Sequence, residues 1–327
     1  MQRITVVILL LVLALPAAIH AQEGELPDQV TANYPGLHPE GIEWDAEAGH
    51  FLVGSLTTGG LFTLTDDGTV TPLGTNPQVG LSSVGVHLDG DRVLVAMSDF
   101  AAGSDPNVPG VAALAVYDRT TGEQLAFVVA SDVLGEGRHF GNDVTADADG
   151  NAYLTDSFSP VIYKIDPDGV ASVFLQDEAL GVEGFGLNGI DYSEAGNYLL
   201  AAVSGKGTIY KIPVDDPASF TEVELSETLG IDGMVLDDNN NLIAVATTYT
   251  DAGERREIVQ LASSDDWATA EVTARTVTLP EASPTTLALR DGVPYVTHAH
   301  FDAIGAETPL AEFEIVRANF EDAESAE

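Results

Sequence analysis

The chain has no cysteine, which excludes disulfides, thiolate metal centres and a lipid-modified N-terminal cysteine. Cations are scarce: three lysines and nine arginines stand against 52 acidic residues, for a formal charge of −40. A field of that sign repels phosphate backbones and anionic lipids, which argues against nucleic-acid and membrane-surface binding. No apolar run, at the N-terminus or later, reaches the roughly 20 residues that a spanning helix needs. Beyond residue 21 no segment keeps a helical period over three turns. Missing as well are a G-x-S-x-G elbow, a P-loop, an H-E-x-x-H pair and a dinucleotide-binding glycine pattern.

What is present begins with Arg3, an apolar stretch from Ile4 to Leu15 and the small-residue segment PAAIHA ending at Ala21. These read as a signal peptide over residues 1–21, with an uncleaved anchor as the alternative, and predict a secreted or periplasmic protein. The closing EDAESAE marks residues 319–327 as a flexible acidic tail. Residues 22–318 are then one domain, expected as a monomer.

One pattern recurs six times: an anchor residue, an apolar strand, a polar turn and a second apolar strand. It runs from Glu40 (EGIEWDAEAGHFLVGS), Val84, Asn142 (NDVTADADGNAYLTDS), Asn188 (NGIDYSEAGNYLLAAVS), Asp232 (DGMVLDDNNNLIAVA) and Thr285. Anchors lie 44, 58, 46, 44 and 53 residues apart. A third strand-like piece follows each copy, among them GLFTL, VIYKI and TIYKI, and most copies add a fourth, such as TVTPLG or TEVEL. Short runs rich in Val, Ile and Tyr, punctuated by Asp-Gly and Asn-Gly, are strands joined by hairpins. Four strands at a period near 45 predict a six-bladed β-propeller of four-stranded antiparallel blades. The sixth copy is a strand short, so DQVTANY (28–34) is expected to complete it and close the ring.

In such a ring the first strand of every blade starts at one face beside the axis. Glu40, Val84, Asn142, Asn188, Asp232 and Thr285 therefore form a circle. Two carboxylates and two carboxamides converge there with no cation among the anchors, and buried unpaired carboxylates are costly. A hard divalent ion removes the cost. Calcium suits oxygen-only ligands best, with magnesium, manganese or zinc as alternatives.

PEGIEWD, GNDVTADADGN, LNGIDYSEAGNYL and IDGMVLDDNNNLIAVA resemble, in order and spacing, the regucalcin/gluconolactonase family of calcium-dependent six-bladed propellers. The resemblance spans roughly residues 36–300 and extends to diisopropyl-fluorophosphatase-like and paraoxonase-like hydrolases. It implies that Glu40, Asn188 and Asp232 are the protein's metal ligands and that Asn142 contacts substrate or metal. It implies also that Asp232 is the catalytic base or nucleophile, in hydrolysis of lactones, esters or phosphotriesters. Two places depart from the pattern. Phe140 stands where many lactonase members carry arginine, which puts sugar-lactone recognition in doubt, and Val235 stands where members with a second calcium carry an acid.

The expected reaction is metal-assisted hydrolysis of a small lactone or ester, with the ion polarising the carbonyl and Asn142 holding the substrate oxygen. Arg138 and His298 are further candidate substrate contacts, Arg138 from GEGRHFG and His298 from the end of a second strand, alongside Asp156 and His300. SDFAAGSDPNVPG in the second copy is a candidate lid. A non-catalytic extracellular propeller with a structural ion is the alternative.

Overall fold

The computed structural model of the protein describes residues 26–322 apart from 75–77, 79 and 251–252; the expected signal peptide (1–21) and the last five residues lie outside them. The described chain is all-β, its strands relieved only by short 3-10 turns. Six antiparallel meanders follow one another, each pairing its strands in chain order. The first comprises Ile42–Asp45, His50–Gly54, Leu61–Leu64 and Val70–Gly74, and the second Ser82–Asp89, Arg92–Ser98, Ala113–Asp118 and Gln124–Val129. Then come His139–Ala146, Ala152–Asp156, Val161–Ile165 and Ala171–Gln176, followed by Leu187–Ser193, Tyr198–Val203, Thr208–Pro213 and Thr221–Leu225. The fifth holds Gly230–Leu236, Leu242–Thr250, Gly253–Ala262 and Thr269–Thr276. The sixth has Pro284–Arg290, Val293–His298 and Glu312–Arg317, and its fourth strand is the N-terminal Gln29–Asn33, paired antiparallel with Glu312–Arg317.

Local chemistry explains the hairpins. In DADGN the Asp147 carboxylate accepts from the amides of Asp149 and Asn151, closing the turn that the glycine permits; Asp166 and Asp237 do the same in their own turns. Packing then joins the meanders. Every neighbouring pair shares one apolar cluster, the sixth and first included, where Phe51 and Phe62 meet Tyr295 and Phe313. Each fully buried Leu or Phe contributes roughly 1.5–3 kcal/mol by leaving water. The six first strands touch in a closed cycle.

Two features were not legible in the pattern. Thr221–Leu225 pairs in parallel with Thr269–Thr276, which merges the fourth and fifth meanders into one nine-stranded sheet. Trp267 secures that seam: it is fully buried among Leu200, Ile209 and Val223, reached through left-handed backbone at Asp266 and Trp267. Within the stretch expected to be a flexible tail, Glu321–Asp322 pairs with the strand Thr269–Thr276.

Candidate active site

Each anchor sits where its strand is interrupted. Pairing between first and second strands shifts register between Ser83 and Val86, Gly141 and Val144, Leu187 and Ile190, Ile231 and Met234, and Pro284 and Leu287. Val84, Asn142, Asn188, Asp232 and Thr285 occupy those five gaps, and Glu40 precedes the strand that begins at Ile42. A bulge frees a residue from the ladder and re-aims its side chain. Glycine follows four anchors for a packing reason. A Cβ at Gly41 would overlap the Val84 carbonyl, and at Gly233 the Thr286 side chain, with equivalent clashes at Gly85 and Gly189. At Asn188-Gly189 and Asp232-Gly233, therefore, the dipeptide marks close approach of neighbouring first strands, not a turn.

Five of the six anchors line one cavity of about 210 Å³, with Glu40, Asn142, Asn188 and Asp232 as its polar residues. Thr285 does not reach it; its Oγ1 donates to the Glu40 carbonyl at 3.1 Å and braces that loop. The remaining lining is Leu56, Val84 and four phenylalanines, Phe100, Phe140, Phe185 and Phe301. Phe100 comes from the candidate lid, whose last residue opens the short strand Gly110–Val111 that pairs with His139 and Phe140.

The polar group is only partly relieved electrostatically. Desolvation, then the charges of Asp232 and Asp143, push the Glu40 carboxyl well above its ordinary range. Desolvation pushes Asp232 up to about 7, eased by a hydrogen bond from Asn188 and by the charge of half-buried Arg256. Asn142 donates Nδ2 to Ser157 Oγ at 3.0 Å, which leaves its carbonyl oxygen for a ligand. Among the described residues no three His, Cys, Asp or Glu side chains cluster as a metal site. Four oxygen-bearing side chains share the cavity only when the two carboxamides are counted. Two carboxylates and two amide oxygens, three of the four side chains buried and Asp232 half-buried, fit a hard divalent ion and do not fit a thiolate- or imidazole-seeking one.

A second acidic layer lay unrecognised in the sequence. Asp143 Oδ2 accepts from Ile190 N at 3.1 Å, and Asp191 Oδ2 from Leu236 N at 2.7 Å. Each carboxylate thus ties its own first strand to the next, and burial raises both, Asp143 to about 7. The signal available was an acid one or three residues past an anchor, in ND and NGID. Arg256, on a long hairpin of the fifth meander, carried no sequence signal at all.

Two expected substrate contacts are displaced from the cavity. Arg138 gives Nη2 to the Ala102 carbonyl at 2.6 Å and lays its guanidinium 4.3 Å from the Phe158 ring. His298 is fully buried between Thr278 Oγ1 and the Glu314 carbonyl, and burial lowers it to about 4, so it stays neutral. The reason is shared: both side chains find fixed partners beside their own strands. His300 pairs with Glu314 at 3.1 Å. Asp156 is a buried hub whose Oδ1 accepts from the amides of Phe140, Phe158 and Ser159, while Oδ2 takes Tyr163 and His139 Nδ1.

That hub predicts a pH effect. The Asp156 hydrogen bond raises the His139 imidazole above its ordinary 6.5, against desolvation. A folded-state value above the unfolded one gives stability fully present below about pH 6.5 and lost as pH rises through the folded value. Urea midpoints should therefore fall on the alkaline side of 6.5, and His139→Gln should flatten that portion of the curve. An unchanged slope in the variant would refute the assignment.

Six antiparallel meanders with an oxygen-floored, apolar-walled cavity at the start of their first strands define a class of all-β repeat protein. The chain belongs to the SMP-30/gluconolactonase/LRE-like family, whose profile matches residues 38–297. Its fold is similar to that of the major allergen Mala s 1 of Malassezia sympodialis, at 19% identity and TM-score 0.72, over 90% of this chain and 97% of that one. It is also similar to a calcium-binding regucalcin from Agrobacterium tumefaciens, at 18% identity and TM-score 0.58, over 87% and 92%. A luciferin-regenerating enzyme shares 14% identity at TM-score 0.57, over 89% and 95%. No curated protein matches the chain in sequence.

Proposed function

We propose that the protein is an exported, divalent-metal-dependent hydrolase of lactones or related carboxylic esters, built as a closed six-bladed propeller. The observation that carries this reading is the meeting of Glu40, Asn142, Asn188 and Asp232 in one cavity, from four separate meanders. Family membership and the calcium-binding neighbour support it. Glu40, Asn188 and Asp232, with Asn142 beside them, would hold the ion, calcium by donor chemistry. Bound there, the ion supplies Lewis-acid polarisation of the ester carbonyl. Asp232 takes the proton of the attacking water, or attacks the carbonyl itself, expelling the alkoxide and leaving a mixed anhydride that water hydrolyses; its bond from Asn188 fixes the carboxylate for either role. Asn142, oriented by Ser157, donates its second amide hydrogen to the substrate oxygen. The apolar wall excludes water from the reacting carbonyl.

The test is hydrolysis of a panel of lactones and aryl esters by the secreted form, with calcium and with chelator. Turnover abolished by chelator and restored by calcium supports the reading, and silence across the panel removes it. A second reading, a non-catalytic binding propeller with a structural ion, draws on the displacement of His298 and Arg138, since no imidazole or guanidinium then lines the cavity.

A further inference from the structure

The wall of the cavity is as one-sided as its floor. Above Glu40, Asn142, Asn188 and Asp232 the lining is Leu56, Val84 and the four phenylalanines, without a hydroxyl, an amide or a cation. Leu56, Val84 and Phe140 belong to a buried apolar cluster shared by several meanders, with Phe100 and Phe158 packed on it. Phe140, Phe158 and Phe185 form a mutual triangle of rings, with centroids 4.9–5.5 Å apart. Phe100 and Phe301 stack at 6.3 Å on turns from two other meanders. Two rings remain uncovered: Phe185 is 40% exposed and Phe301 43%. Both line the cavity, so a ligand seated there would cover them.

From this we infer that the site takes an uncharged ester or lactone bearing an aromatic or bulky alkyl substituent, and that Phe185 and Phe301 select it. The inference rests on the hydrolase reading for the reacting group and on the wall alone for the substituent. A sugar lactone would carry several hydroxyls against rings that offer no partner, and each unpaired hydroxyl costs about tenfold in affinity. A carboxylate- or phosphate-bearing substrate would find no cation in the wall. Arg138, beside these rings, is held by Ala102 and by the Phe158 face, and the chain's overall charge repels anions. An aromatic substituent instead gains edge-to-face contacts with rings already fixed in position.

Binding and turnover are measured separately. Calorimetry on the calcium-loaded protein uses two uncleavable probes, a phenyl-substituted δ-valerolactam and the lactam analogue of gluconolactone. The phenyl lactam should bind at least 100-fold tighter, and Phe185→Ala and Phe301→Ala should each weaken it about tenfold. Equal binding of the two lactams, or Phe variants that bind as wild type, would overturn the inference. Catalysis is read as kcat/KM for phenyl acetate against its para-carboxylated analogue. A protein that binds the phenyl lactam but hydrolyses no ester keeps the substituent preference and loses the hydrolase reading. One that hydrolyses gluconolactone best keeps the hydrolase and loses the preference.

Discussion

Asp232→Asn should lower kcat/KM for a lactone or aryl ester by about 10³-fold at saturating calcium, the loss typical of a positioned acid–base group. The substitution keeps the size of the side chain and one oxygen ligand. It removes the oxygen that can take a proton or form the anhydride bond of an acyl-enzyme. It also removes one formal charge from the floor, so weaker ion binding could imitate the catalytic loss. Glu40→Gln makes the same change in charge, within the same cavity, on a residue given no proton-transfer role. The two variants therefore separate the effects. Excess calcium should restore most of the Glu40→Gln activity and little of the Asp232→Asn activity. Wild-type turnover by Asp232→Asn, or equal rescue of both variants, would remove Asp232 from the chemistry. Folding is not at stake in this comparison: burying asparagine costs less than burying the carboxylate that desolvation already pushes up to about 7.

The legible and illegible parts of the site divide along a physical line. The anchors could be read because a repeat places equivalent residues at equivalent radii, whatever their local conformation. Glu40, Asn142, Asn188 and Asp232 needed only that rule to meet. Thr285 obeyed it in register but spends its hydroxyl on the Glu40 carbonyl. Arg138 and His298 lay beyond it. Proximity to the right strand end says nothing about where a long or planar side chain finds its partners, and each found them away from the cavity. The second-layer acids were hidden for the opposite reason. Asp143 and Asp191 resemble ordinary polar residues in a strand until the neighbouring amides of Ile190 and Leu236 are known. Glycine after the anchor was legible as a residue but not as a cause. Its role as the contact point between adjacent first strands depends on a spacing that only the assembled ring defines. The parallel bridge between the fourth and fifth meanders is of the same kind, because outer strands carry no equivalence that predicts which edges meet.

Removing the divalent ion should change both the size and the pH dependence of stability. In chelator, Asp232 and Asp143 have folded-state values raised to about 7 by burial, and Glu40 lies well above its ordinary range for the same reason, compounded by the charges of its two neighbours. In the unfolded chain all three titrate as ordinary carboxylates near 4. Between those limits the folded state binds more protons at these three groups, so their contribution to stability is full below about pH 4 and is lost as pH rises through about 7. A bound divalent cation reverses the trend, because it competes with those protons and binds more tightly as the carboxylates ionise. At a hundredfold excess over its Kd, calcium adds about 2.7 kcal/mol of stability. Urea midpoints with and without calcium should consequently converge toward pH 4 and separate most widely near pH 8. The His139 contribution is common to both series and cancels in their difference. Asp232→Asn should flatten the chelated series and shrink the gap. Two series that run parallel across the whole range would mean that no hard ion meets these carboxylates, and the cavity floor would have to be explained by protons alone.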